Sequence, residues 1–151
     1  MEDHPRIVAI DPGASGGIAS YVSGVVSASK IAPTIGGLVD QVTHFDPDIV
    51  YIEETGFAVF HNRSPKPMGM LQRHIGQVEG IAGTGGVPVV LVRPTMWQQA
   101  CGAGPKSLHG GDAPWKRHLR GIAKTLFPSA KVTLATADAL LILNYAMTKE
   151  F

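Results

Sequence analysis

Residues 7–19, Ile7-Val8-Ala9-Ile10-Asp11-Pro12-Gly13-Ala14-Ser15-Gly16-Gly17-Ile18-Ala19, decide how the chain folds. Four apolar residues ahead of Asp11-Pro12-Gly13 read as a buried strand that delivers a carboxylate at its end. After the Gly16-Gly17 break, residues 18–22 and 25–29 flank Ser23-Gly24, a dipeptide suited to a hairpin turn, so the first three strands are expected to be antiparallel. Residues 35–45 place Leu38, Val39, Val42 and Phe45 at helical spacing, and residues 48–54 form the next apolar strand, again ending in acid. A loop over 61–69, a helix over 70–84, a fifth strand over 87–92, a flexible loop over about 102–113 and helices over 115–126 and about 134–147 complete the reading. The expected fold is α/β: a five-stranded mixed sheet flanked by helices, in one domain spanning 1–151.

Composition narrows the function classes. With 151 residues, 44% hydrophobic and 17% charged, the chain can build a packed core and does not fit the disordered class. A single cysteine, Cys101, excludes an internal disulfide and a Cys-rich zinc site and suits a reducing, cytoplasmic setting. The first six residues carry two acids and no apolar run, so no secretory signal is expected there. The apolar stretches fall well short of the ~20 residues a membrane span needs.

Three acids interrupt apolar segments. Asp11 and Glu53 each close a strand, and Asp138 lies in Thr136-Ala137-Asp138-Ala139-Leu140-Leu141-Ile142. Carboxylates converging at a core edge call for a cation between them. Oxygen ligands without cysteine or paired histidine favour Mg²⁺ or Mn²⁺, ions suited to phosphodiester hydrolysis by a two-metal route. Glu54, next to Glu53, would point to the opposite face of a strand and is the alternative ligand. Asp138 alone could equally serve the dipole of its helix. The glycines between Gly13 and Gly17 suit either a close approach to phosphate or a plain turn.

Taken together, residues 7–19, Tyr51-Ile52-Glu53 and Ala137-Asp138-Ala139-Leu140-Leu141-Ile142 with Tyr145-Ala146 resemble the signature segments of RuvC-type Holliday junction resolvases. The Gly16-Gly17-Ile18-Ala19 form and the short chain are most similar to the bacteriophage branch. The resemblance implies an RNase H-like fold, a homodimer, action in the cytoplasm of a bacterial host, and Mg²⁺-dependent nicking of four-way DNA junctions. It makes Asp11, Glu53 and Asp138 both catalytic residues and metal ligands. The family places a second acid one turn before the last one, where this chain has Ala135. Three carboxylates could suffice, the site could be weak, or alanine could replace an acid so as to hold a DNA complex uncut; the intact surrounding motif favours the last.

The net charge of +1 conceals a partition. Residues 1–60 carry two basic and eight acidic side chains, a balance of −6; residues 61–131 carry ten and two, a balance of +8; the rest contribute −1. A basic middle segment beside acidic metal ligands suits a phosphodiester substrate. The candidate DNA-binding residues are Arg63, Lys66, Arg73, Lys106, Lys116, Arg117, Arg120 and Lys124, with Arg93 as a further cation. Lys116 falls where the family has a DNA-contacting lysine, while a second family lysine is missing near Trp97-Gln98. Phe57 and Phe60 are candidates for the family's aromatic at the junction centre, or else ordinary core residues. The six histidines show no paired ligand spacing; His61 and His74 flank the basic loop and read as solvent-facing or as phosphate contacts. The apolar stripe of 70–84 reads as core or as dimer interface, and the resemblance favours the interface. Two rivals to a nuclease stand beside it: a non-catalytic branched-DNA-binding module, supported by Ala135, and an actin-like nucleotide-binding domain, for which the chain is too short. No nucleotide cofactor and no membrane partner are expected.

Overall fold

The computed structural model describes residues 3–54 and 65–151. Its strands are β1 (Ile7–Asp11), β2 (Gly17–Val22), β3 (Val25–Lys30), β4 (Ile49–Glu53) and β5 (Val89–Val92), in the order β3-β2-β1-β4-β5. The first three pair antiparallel, whereas β1–β4 and β4–β5 are parallel. The hairpin turn has Ser23 and Gly24 at φ 50° and 82°, the left-handed pair that matches strand twist.

Among the described residues, five helices flank the sheet: α1 (Ile35–His44), α2 (Pro65–Thr84), α3 (Pro94–Ala100), α4 (Asp112–Leu126) and α5 (Ala137–Glu150). Alternate strand residues feed two cores, as a pleated sheet requires. Val8, Ile10, Ile18, Val50 and Ile52 pack with Leu38 and Val42 of α1 and Ile75, Val78 and Ala82 of α2. Ile7, Ala9, Ala19 and Tyr51 pack with Trp97 of α3, Trp115, Leu119 and Ala123 of α4 and most of α5. The described part of the α2 stripe is therefore core. Nearly every residue from Ala137 to Ala146 is buried, so α5 is apolar almost all round and belongs against the sheet.

Several boundaries differ from expectation for local reasons. Helix α2 begins at Pro65, because proline is tolerated in a first turn where its N–H would have no partner. Pro94 opens α3 in the same way, on residues left unassigned between the expected fifth strand and the 102–113 loop. The 102–113 segment is built rather than loose: Gly102, Gly104, Gly110 and Gly111 take positive φ, Lys106–His109 form a 3-10 turn, and the His109 ring stacks on His118 of α4. Helix α5 starts at Ala137, not Leu134. Ahead of it, the Thr133 N–H donates to Thr136 Oγ1 at 2.9 Å and the Thr136 N–H donates to Thr133 Oγ1 at 3.2 Å, the reciprocal pattern of a capping box. The Ala137 N–H already donates to the Thr133 carbonyl at 3.0 Å, so residues 134–136 wind directly into α5.

Candidate active site

Strand register brings the two strand-end acids together. Ile10 pairs with Ile52 across the parallel β1–β4 ladder, and the next residues along are Asp11 and Glu53. They share the pleat parity of Ala9 and Tyr51, which face the α5 core. Glu54 has the opposite parity, and its carboxylate lies 3.8 Å from Arg93 Nε. Glu53, rather than Glu54, is thus the acid on the α5 side.

Glycines allow α5 to approach. Gly17 pairs with Asp11 across β1–β2, and a Cβ on Gly17 would stand 2.4 Å from the Ala135 carbonyl oxygen and 3.0 Å from Thr136 Cα. The backbone leading into α5 therefore lies directly against the partner of Asp11, which brings position 135 to the acidic edge and Asp138 one turn beyond it. Gly17→Ala is expected to push these elements apart at a cost of about 1–3 kcal/mol, read as a lower midpoint in urea denaturation. At Gly16 a Cβ would collide with the Asp11 carbonyl at 1.9 Å, so the glycine run is a tight strand-to-strand turn. That turn is tethered to α2: the Gly13 N–H donates to His74 Nδ1 at 2.7 Å. His74 is half-buried, which lowers its pKa and keeps the ring neutral and able to accept. Its Nδ1 is thus taken up by the Gly13 backbone rather than left to solvent.

Asp138 is strongly perturbed. Burial pushes its carboxyl up to about 6, while the Lys116 ammonium pulls the other way. The influence of Lys116 puts the start of the basic α4 face beside the acidic edge. Lys116, Arg120 and Lys124 recur four residues apart along α4 and flank its buried Trp115, Leu119 and Ala123. Lys116, Arg117 and Lys124 are exposed and Arg120 half-buried. Lys106 is engaged by Asp112 in the first turn of α4, and Arg73 is exposed on α2. Phe57, Phe60, His61 and Arg63 lie outside the described residues, as does the Lys66 side chain.

Two residues at this edge escaped sequence reasoning. Trp97 of α3 donates its indole N–H to Glu53 Oε2 at 2.8 Å. Cys101, just past α3, is near enough to Asp138 for that carboxylate to raise its pKa, on top of a larger effect from burial. Both were visible only as an apolar ring and a lone thiol, since their roles depend on β5 lying beside β4.

The donor set is all carboxylate, and a half-buried acid such as Asp138 favours an adjacent cation, so these residues fit a hard divalent ion in their chemistry. Among the described residues no group of three His, Cys, Asp or Glu side chains is placed to hold one, and the position that would add an acid is Ala135. Among them, too, no helix is long and apolar enough to cross a membrane.

No family model matches the chain, and no curated protein matches it. Solved structures do. RuvC of Thermus thermophilus in complex with Holliday junction substrate aligns with a TM-score of 0.58 and 24% identity over 95% of this chain and 96% of that one. The T. thermophilus RuvC structure gives 0.58 and 23% over 96% and 97%. The Fowlpox virus resolvase in complex with substrate Holliday junction DNA gives 0.53 and 16% over 96% of each chain. The mixed sheet, its strand order and its flanking helices are therefore an RNase H-like fold shared with RuvC and a poxvirus resolvase.

Proposed function

We propose that the chain is a divalent-cation-dependent endonuclease that resolves four-way and related branched DNA junctions by paired nicking, a crossover junction endodeoxyribonuclease. The observation that carries this reading is the meeting of Asp11, Glu53 and the start of α5 at one sheet edge, with Lys116 beside Asp138 opening a basic helix face. The fold shared with two resolvases whose structures contain junction DNA supports it. The Gly16-Gly17-Ile18-Ala19 turn supports a place in the bacteriophage branch, with action in the cytoplasm of a bacterial host.

Asp11, Glu53 and Asp138 would hold Mg²⁺, with Mn²⁺ as a substitute. When bound, the ion supplies an activated water and offsets charge on the leaving oxygen. The protein's part is to place these acids on rigid elements, with Asp11 on a turn tethered by His74. Lys116, Arg117, Arg120 and Lys124 bind flanking phosphates. A homodimer would supply two such sites related by a twofold axis, as paired scissile phosphates require; light scattering checks it.

One observation favours a second reading, a branched-DNA-binding module without catalysis: Ala135 stands where a further acid would sit. Both readings require binding, so fluorescence anisotropy with a synthetic four-way junction in EDTA is the first test. Affinity is expected to exceed that for linear duplex and to fall steeply between 50 and 200 mM salt. Lys116→Ala combined with Lys124→Ala should weaken binding and reduce the salt slope by about 2. Equal affinity for junction and duplex, or a flat salt response, contradicts both readings.

A further inference from the structure

Glu53 stands at the end of a strand, and among the groups that touch it is a donor whose own position is fixed. The Trp97 ring is 1% exposed and packed in the α5-side core, so its N–H has one direction in which to point, and that direction is Glu53 Oε2 at 2.8 Å. Indole nitrogen donates and cannot accept, so the contact favours the ionised carboxylate in one rotamer. The helix that carries Trp97 reaches across the whole edge: Arg93 at its start faces Glu54, and Cys101 just past its end senses Asp138.

We propose that Trp97 is a positioning residue that orients Glu53 for the divalent cation, and that its indole therefore reports arrival of that ion. This rests on Glu53 being an ion ligand, as in the function proposed above. Ligating carboxylates are commonly oriented by such outer hydrogen bonds, and losing one costs about 10–100-fold in metal affinity or activity. If the contact did no more than satisfy a buried indole N–H, ion affinity would not depend on it.

Trp97→Phe keeps the buried ring and deletes the donor. Free Mn²⁺ measured by electron paramagnetic resonance, without DNA, is expected to show a dissociation constant raised about 10–100-fold over the parent chain, while junction binding in EDTA is unchanged. Because the chain has two tryptophans, Trp97 and Trp115, Trp115→Phe leaves Trp97 as the emitter without altering the contact. Mg²⁺ should then shift its emission saturably, whereas Trp97→Phe, emitting from Trp115, should show no such shift. All arms are run in both the parent and the Ala135→Asp background. Equal Mn²⁺ affinity of Trp97→Phe and parent, or Mg²⁺-insensitive emission from the Trp115→Phe chain, overturns the role of Trp97 while leaving the nuclease reading intact. Absence of Mn²⁺ binding in both backgrounds overturns Glu53 as a ligand, and the inference with it.

Discussion

Ala135→Asp is expected to raise Mg²⁺-dependent cleavage of a four-way junction on the order of 100-fold, equivalent to ~3 kcal/mol of added transition-state stabilisation. Position 135 is not a remote surface site. Its carbonyl lies against Gly17, which pairs with Asp11, and it stands three residues ahead of Asp138 in the turn that leads into α5. A carboxylate there would add oxygen ligands to an edge that now offers Asp11, Glu53 and Asp138, and hard divalent ions use several. Single-turnover rates on labelled junctions measure the effect. Equal rates for the two chains would mean that three carboxylates are sufficient and that Ala135 is not a gap.

Asp138→Asn should abolish cleavage, by a factor of roughly 10³ or more (~4 kcal/mol), and at the same time stabilise the fold. The sign follows from linkage. Burial raises the folded carboxyl to about 6 from an ordinary 3.8, so between those values the native chain keeps a proton that the unfolded chain has lost. Stability therefore falls as pH rises through that window and is lowest above it. The shift corresponds to at most ~3 kcal/mol at ~1.4 kcal/mol per unit. Asparagine removes the buried charge, so the variant should match the parent at pH 4 and exceed it at pH 8 by about 1–3 kcal/mol in urea denaturation. Adding Mg²⁺ at pH 8 should recover part of the difference in the parent but not in the variant. A variant no more stable than the parent at pH 8 would show that Asp138 is not buried at a cost.

The acids of this site were legible because each breaks an apolar pattern: Asp11 after Ile7–Ile10, Glu53 after Ile49–Ile52, and Asp138 within a helix start that is otherwise alanine and leucine. The sheet was legible for a related reason, since β-branched runs punctuated by Gly and Pro give both the strands and their antiparallel opening. What supports the acids was not legible. Trp97 stands out in the sequence only as the place of a missing lysine, and His74 as solvent-facing or a phosphate contact, because the contacts that define them, to Glu53 and Gly13, join residues 44 and 61 positions apart. Short α3 and the 102–113 segment were missed because seven residues opened by proline, and a run of left-handed glycines, give no periodic signal. Charge partition pointed to α4 as a basic face, but the Lys106–Asp112 pairing depends on turn geometry that composition does not encode.

The most direct test is cleavage of a synthetic four-way junction, each strand labelled in turn, by the parent and Ala135→Asp chains in Mg²⁺, Mn²⁺ or EDTA, with linear duplex of the same sequence as control. The expected result is paired nicks at symmetry-related positions near the branch in the metal lanes, strongest for Ala135→Asp, with none in EDTA and none on duplex. Cleavage that persists in EDTA, equal cutting of duplex, or no cutting by either chain in either metal would contradict a divalent-cation junction nuclease built on Asp11, Glu53 and Asp138.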